Sequence, residues 1–356
     1  MKLKKGPKIV LIILVLLAFI FIGSAVFWMY LASPVDTNDK RAIEVVIPEG
    51  ATASKIGTIL KEKDLIKNEM FFKIYLKFNK KSSLKATTYV LKKNMSLDEI
   101  ISALEKGNDY NPDIIKITFK EGKRLTEYVK LIAENTNHTE SEIFAVIDDK
   151  DYVKTLISKY WFLTDPILDE NIYHPLEGYL FPETYYFLNK DVKIEDIIEK
   201  LLDEMSKRLE PYKDQIKDDP HKYITLASIA ELEGTNEENR KMIVGIFNNR
   251  LAKKMTLGSD VTTYYAFNQE MDKDLTKEMF NTYNPYNTRS DRLAGLLPVG
   301  PICSPGESSI KAAINPTSSD YYYFVADKYA NIYYTKTYAE HEAKVREIKA
   351  KGDWIW

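Results

Sequence analysis

The chain has little with which to bind metals or form disulfides. Its 356 residues include one cysteine, Cys303, and four dispersed histidines, His138, His174, His221 and His341. A lone cysteine excludes an intramolecular disulfide, so any part outside the cytoplasm must depend on an apolar core. A nucleophilic thiol would need a neighbouring histidine, so a packed thiol is the expectation for Cys303. The scattered histidines offer no metal-ligand spacing, and the 14 glycines form no phosphate-cradling loop. No metal and no cofactor are therefore expected. Charge of one sign is also missing: 50 Lys and Arg stand against 52 Asp and Glu, a net charge of −2, with both signs interspersed. No basic patch invites nucleic acid.

One long apolar run is present, Ile9 to Leu31, 23 residues between Lys8 and Asp36. As a helix it would reach about 34 Å, against a hydrocarbon core of about 30 Å. Secretory signals carry an apolar region of about 7–15 residues, so the length predicts a retained anchor although Leu31-Ala32-Ser33 faintly resembles a cleavage site. Lys2, Lys4, Lys5 and Lys8 precede it with no acid among them, which orients the N-terminus inward. The remaining chain carries a net charge of −6 without those four lysines. The expected division is a cytoplasmic tail at 1–8, a transmembrane helix at 9–32, a polar linker at 33–40, a small membrane-proximal domain at 41–110, connecting strand and helices at 111–170, and a larger domain at 171–356.

The fold class expected beyond the helix is α+β. Ala42 to Pro48 reads as a strand, Glu49-Gly50 as a turn, and Thr52 to Leu60 and Met70 to Phe78 as helices. A strand at Thr87 to Leu91 precedes a helix opened by Ser96 and Glu99 at capping-box spacing. Ile114 to Phe119, Glu121-Gly122 and a helical Leu125 to Ala133 repeat the strand, Glu-Gly, helix order weakly. The second unit opens with the aromatic stretch His174 to Phe187. Helices follow at Ile194 to Leu209 and His221 to Glu233. Thr235 and Glu238 form another candidate capping box, before a helix carrying Met242, Ile246 and Phe247. Tyr321 to Ala326 and Ile332 to Thr335 read as a hairpin with aromatics that belong to the core, and a polar helix from Ala339 to Ala350 closes the chain.

Glu231 interrupts the apolar helix Tyr223 to Glu233, with small neighbours Ala227, Ser228 and Gly234 one turn away. Two readings fit: a satisfied carboxyl at a helix end, or an acid at the floor of a groove. Glu233 lies about 200° around the axis, so the two glutamates do not face one substrate atom. A second carboxylate would come from Glu177, Asp260 or Glu307.

Leu226-Ala227-Ser228-Ile229-Ala230-Glu231-Leu232-Glu233, Ile246-Phe247-Asn248-Asn249-Arg250-Leu251 and Leu257-Gly258-Ser259-Asp260 resemble the endolytic murein transglycosylase (YceG-like) family. Further matches lie at Leu176 to Tyr185, Tyr286-Asn287-Thr288, Leu297 to Ile302, Ser304-Pro305-Gly306 and Tyr323 to Ala326. The likeness extends to the N-terminal anchor and, at Val46 to Gly50, to a LysM-like membrane-proximal module. The chain departs from the family pattern at Leu232 and Gly234, in a longer Arg289 to Leu296 stretch, and at Ala86 to Tyr89. The resemblance implies cleavage of the MurNAc–GlcNAc β-1,4 bond within glycan strands by a catalytic domain at 171–356, leaving 1,6-anhydro ends, with Glu231 as both acid and base. Candidate sugar-holding residues are Glu177, Tyr179, Asn248, Arg250, Asp260, Tyr286, Asn287 and Thr288, since glycan hydroxyls need polar partners and aromatic platforms. Structural readings stay open: inward hydrogen bonds for Asn248 and Arg250, a turn or cap for Asp260. The implied partners are peptidoglycan strands, the membrane through residues 9–32 and cell-wall synthesis proteins; the implied location is the bacterial cell membrane, single-pass, with the C-terminal domains outside. The competing functions are a muramidase-type hydrolase and a non-catalytic wall-binding scaffold.

Overall fold

The structure, a computed structural model, describes residues 5–39, 43–81, 83–107 and 114–354, with backbone alone for 5–13. It is an α+β protein with one apolar N-terminal helix and two-stranded sheets. The chain divides into two units, Met1–Ile115 and Lys116–Trp356. The strand and helices expected as a connector after residue 115 thus belong to the larger unit.

In the first unit α1 (Lys5–Ala32) runs unbroken through the apolar stretch, and Leu14–Ala32 is long and apolar enough to cross a membrane. Its final turn packs into the rest of the unit. That remainder comprises β1 (Ile43–Val46), α2 (Ala53–Glu62), α3 (Glu69–Phe78), β2 (Thr88–Leu91) and α4 (Leu97–Lys106). β1 and β2 pair antiparallel, from Ile43 opposite Leu91 to Val46 opposite Thr88. Alternation sends Val45, Tyr89 and Leu91 inward against Ile56, Phe72 and Ile100. The Tyr89 hydroxyl donates to the carbonyls of Lys85 and Leu104 at 2.7 and 3.1 Å, so even this buried polar atom is satisfied. The predicted capping box forms: Ser96 accepts from the Glu99 amide, and the Glu99 carboxylate accepts from the Ser96 amide at 2.7 Å.

The expected linker at 33–40 is instead fastened to the small unit over its described residues. The Asp36 amide donates to the Lys93 carbonyl and the Asn94 amide to the Asp39 carbonyl, each at 3.2 Å. Lys67 Nζ binds the Tyr30 carbonyl at 2.9 Å and the Ser33 hydroxyl at 2.6 Å. Polar, Pro-containing composition signals absence of helix, but these bonds join residues 34 to 57 positions apart, which composition does not reveal.

The larger unit begins with β3 (Ile115–Thr118) and continues through α5 (Leu125–Asn135), α6 (Glu140–Ile147), α7 (Lys150–Lys159), β4 (Thr184–Phe187), α8 (Ile194–Leu209), α9 (Lys213–Ile216), α10 (Pro220–Glu233), α11 (Glu237–Ala252), α12 (Asp260–Ala266), α13 (Lys277–Asn281), α14 (Glu307–Ile314), β5 (Tyr323–Ala326), β6 (Ile332–Thr335) and α15 (Tyr338–Ala350). β3 pairs with β4, and β5 with β6 antiparallel as the hairpin pattern predicts. Every residue from Ile224 to Ala230 is buried, which explains why α10 is apolar all round rather than on one face. α10 packs on α11 and α14, and α11 on α14. The predicted cap of α11 shifts by one residue: Asn236 accepts from the Asn239 amide at 2.9 Å, while the Thr235 hydroxyl binds the Asn239 side chain. Asn caps as well as Thr, so the residue nearer the turn takes the position. The weak strand, Glu-Gly, helix echo is real in the backbone, since Gly50 and Gly122 both sit at φ +73°, the left-handed region that glycine enters freely.

Removing a fully enclosed side chain such as Ile100, 0% exposed, should lower stability by about 2–5 kcal/mol. Met70→Ala, at a 67% exposed position, should stay within about 0.5 kcal/mol. Denaturant midpoints of the full chain in detergent test the contrast, and similar losses for both would show that Met70 belongs to the core.

Candidate active site

Glu231 lies at the end of the buried helix α10, and three groups from α11 and the start of α14 converge on its carboxyl. From α11, Arg240 Nη2 donates to Oε1 at 2.8 Å. From the turn before α14, the Gly306 amide donates to Oε2 at 2.9 Å, and one turn on Ser309 Oγ donates to the same oxygen at 2.6 Å. Only 6% of the Glu231 side chain stays exposed, and 14% of Arg240. A carboxyl so enclosed needs these hydrogen-bond partners.

Glycine makes the convergence possible. A Cβ on Gly306 would fall 2.1–2.6 Å from the carboxyl atoms of Glu121, so the absent side chain is what admits Glu121 beside Glu231. Glu121 arrives on the turn before α5, held by two backbone bonds: Gly122 amide to Ser304 carbonyl and Ser304 amide to Lys123 carbonyl, both 2.9 Å. Burial and the negative charge of Glu231 push the Glu121 carboxyl above its ordinary range, and Arg240 opposes this. Arg208 borders the cluster, donating to Glu307 at 2.7 Å and to Glu204 at 2.8 Å.

The small residues before Glu231 serve packing rather than an open groove. Ser228 Oγ accepts from the Ile302 amide at 3.1 Å, and Cys303 Sγ lies 3.2 Å from the Ser228 carbonyl. Cys303 is fully buried, and burial raises its thiol well above the usual range, so it is a packed thiol.

Glu233 points to a different cluster, as the rotation about the helix predicts. Its Oε1 accepts from Ser259 Oγ at 2.5 Å. Around it the Leu257–Asp260 and Tyr286–Thr288 motifs lock together: the Gly258 amide binds the Thr288 carbonyl at 3.0 Å, Thr262 and Thr288 hydroxyls meet at 2.7 Å, and Thr263 Oγ1 donates to Asn287 Oδ1 at 2.8 Å. Asn287 Nδ2 also holds the Met279 and Thr282 carbonyls. Asp260 pairs with Arg289, and Arg250 Nη1 holds the Leu257 carbonyl at 2.5 Å while its guanidinium covers Tyr323.

Of the residues expected to hold sugar, Tyr179, Tyr286, Asn287 and Thr288 are 0% exposed. Tyr179 binds His221 Nδ1 at 2.7 Å, and His221 Nε2 meets the Val299 carbonyl at 2.8 Å. These four side chains have no face open to a glycan; Tyr179, Asn287 and Thr288 fasten the scaffold by hydrogen bonds and Tyr286 by its ring contacts with Tyr173 and Tyr265, which corrects the expectation of direct contact. Glu177 is likewise enclosed, with both oxygens on the Leu125 amide at 3.0 and 3.1 Å and Oε2 on Tyr265. It steadies the start of α5, four residues after Glu121. Arg250 follows the inward reading. Asp260 and Asn248 keep partial exposure.

Neither Glu177, Asp260 nor Glu307 is the carboxyl beside Glu231. Glu121 is, together with Arg240, Gly306 and Ser309. Glu121-Gly122 was visible in the strand, Glu-Gly, helix echo and Ser304-Pro305-Gly306 as a family match, but their meeting depends on bonds between residues nearly two hundred positions apart. Arg240 gave a weaker signal, its place in the first turn of the next helix.

A glutamate clamped by a guanidinium, an amide and a hydroxyl, with a second carboxyl alongside, is an arrangement with the groups that acid–base chemistry requires, on an α+β scaffold. The YceG-like family model matches residues 45–347, and the chain belongs to that family. It is similar to an endolytic murein transglycosylase of Bacillus subtilis (strain 168), 37% identical over 337 residues covering 93% of this chain and 92% of that one. An endolytic murein transglycosylase of Streptococcus pneumoniae serotype 2 is 33% identical over 94% of this chain, which spans 64% of that longer protein. The crystal structure of a YceG-like protein from Listeria monocytogenes matches 86% of this chain and 99% of its own, with 36% identity and a TM-score of 0.61.

Burial pushes Glu177 up to about 7, against about 4.3 in an unfolded chain. Between these values the native state holds a proton that the unfolded state has released, so Glu177 makes stability fall as pH rises through this window and level off above it. The contribution is on the order of 3 kcal/mol. Glu177→Gln should flatten the decline in Tm between pH 5 and pH 7, about this window; an unchanged slope would assign the dependence to other groups.

Proposed function

We propose that the chain is an endolytic lytic transglycosylase that cuts the MurNAc–GlcNAc β-1,4 bond inside peptidoglycan strands and leaves 1,6-anhydroMurNAc ends. The observation that carries this reading is the clamped Glu231 at the end of α10, in a chain whose full-length relatives bear that activity in their names.

In this mechanism Glu231 protonates the glycosidic oxygen, which leaves with the electron pair of its bond to C1. The C6 oxygen of the same MurNAc then bonds to C1, and its proton returns to Glu231. The nucleophile is tethered, so effective molarity replaces the water-activating base that an inverting hydrolase requires. The enclosure of Glu231 gives the donors a second task. A glycosidic oxygen reaches the carboxyl when Arg240 or Ser309 releases it, and their return stabilises the carboxylate left after proton donation. Burial and the charge of Glu231 raise the Glu121 carboxyl above its ordinary range, which makes it the group proposed to pass a proton to and from Glu231 across Gly306. Asp260 and Asn248 keep surface with which to meet the flanking sugars.

The N-terminal helix is read as a retained anchor, N-terminus inside. Support comes from the packing of Trp28, Leu31 and Ala32 on the core of the small unit, which cleavage after Ser33 would strip away. The LysM-like reading of the small unit rests on the likeness of Val46 to Gly50, and glycan binding is its expected role. The tether keeps cleavage close to the membrane, on nascent strands near the cell-wall synthesis proteins.

Digestion of peptidoglycan by the full chain in detergent, with mass spectrometry of fragment ends, should yield anhydro ends within strands. Reducing ends would instead assign a muramidase-type hydrolase, and no cleavage a wall-binding scaffold. Glu231→Gln should lower kcat by about 10²–10⁴. Glu121→Gln should cost roughly tenfold or more in kcat with KM little changed, and should move the alkaline limb of the pH profile. A Glu121→Gln enzyme with an unaltered profile would remove that carboxyl from the mechanism.

A further inference from the structure

Outside α1, the described residues of the small unit expose four large apolar side chains, and three lie on α3: Met70 at 67%, Ile74 at 48% and Phe78 at 76%. Their spacing of four residues advances each by about 40° around the helix, so they form one stripe. Lys73 and Lys77 border it on one edge, and Lys80 follows just beyond the helix; Glu69 is the single acid within α3. The other edge, Phe71 and Tyr75, leads directly to α1. There the Trp28 ring meets Phe71, Phe78 and Tyr75 at centroid distances of 4.8, 5.4 and 5.9 Å. Lys67, just ahead of α3, grips the end of α1 through the Tyr30 carbonyl and the Ser33 hydroxyl, with its ammonium 4.1 Å above the Tyr30 ring.

These contacts set the depth of α3. Trp28 stands four residues, or roughly 6 Å, before the end of α1. In a spanning helix that position falls in the aromatic belt between acyl chains and headgroups. A helix bound to Trp28 by three rings and to Tyr30 by a lysine shares that level and cannot swing away from it. An apolar stripe flanked by lysines at that level has the composition of an interfacial helix.

We propose that α3 lies in the outer interface of the membrane that α1 crosses, with Met70, Ile74 and Phe78 against the upper acyl carbons and Lys73, Lys77 and Lys80 on the phosphates of anionic lipids. The proposal rests on reading α1 as a membrane anchor. It makes the small unit a monotopic attachment as well as a tethered one, with the lysines tuning its seat to the anionic lipid content.

The test uses the full chain in lipid nanodiscs with one fluorescent thiol label at Phe21→Cys, Ile74→Cys or Lys61→Cys; Cys303 is enclosed and stays unlabelled. Nitroxide lipids quench from the middle of the chain or from near the headgroup. The Ile74 label should lose severalfold more signal to the headgroup-proximal nitroxide than the Lys61 label on α2. The loss should be greater with phosphatidylglycerol than with phosphatidylcholine alone, and smaller after Lys73→Glu with Lys77→Glu. Phe21 quenched from mid-chain with Ile74 no more quenched than Lys61 overturns the interfacial helix and leaves the anchor intact. Phe21 unquenched overturns the anchor, and with it the proposal. An Ile74 label shielded from water yet untouched by nitroxide would mean that protein covers the stripe, which also overturns it. Equal quenching in both lipids would overturn the role of the lysines.

Discussion

The architecture of the larger unit depends on satisfying one carboxylate at the end of a helix that is otherwise buried and apolar. α10 can be enclosed on all sides because Ile224 to Ala230 present nothing that needs water. Glu231 breaks that rule, and an enclosed carboxylate without partners would cost several kcal/mol. The remedy brings in Arg240 from α11 and the Gly306 amide and Ser309 hydroxyl at the start of α14. Each supporting bond nearby, from Ser228 to Ile302 or from Gly122 to Ser304, holds one of those segments in place.

The two glutamates of α10 divide the unit's polar residues into two sets. Glu231 gathers the groups proposed for chemistry, while Glu233 anchors the lock between the 257–260 and 286–288 motifs. Motif residues such as Asn287 and Thr288 are therefore explained by what they hold together. Their side chains replace backbone pairing in a region with little sheet, and a rigid scaffold is what a proton donor needs to meet a bond at fixed distance.

The small unit applies the same principle around its apolar helix. α1 runs into the unit and is packed there by Trp28 and gripped by Lys67, so the segment after it is fastened rather than loose. Under the proposed anchor reading, position relative to a bilayer is set by the packed unit and not by a flexible tether.

Much of this was legible in the residues themselves. The apolar run from Ile9, the capping box at Ser96, the hairpin ending at Thr335 and the long amphipathic helix from Ile194 to Leu209 all follow from local periodicity and caps, which act over a few residues. Local geometry also separated Glu231 from Glu233, since rotation per residue is a property of any helix. The surroundings of Glu231 were another matter. That Glu121 would lie beside it, that Arg240 would clamp it and that Tyr179, Tyr286 and Thr288 would be sealed inside were settled by packing, because burial and hydrogen-bond partners depend on segments brought together from distant parts of the chain. The sequence by itself determined many of the helices and strands, though not β4 or α12 to α14, and which carboxyl interrupts the buried helix; the tertiary structure alone decided what that carboxyl touches.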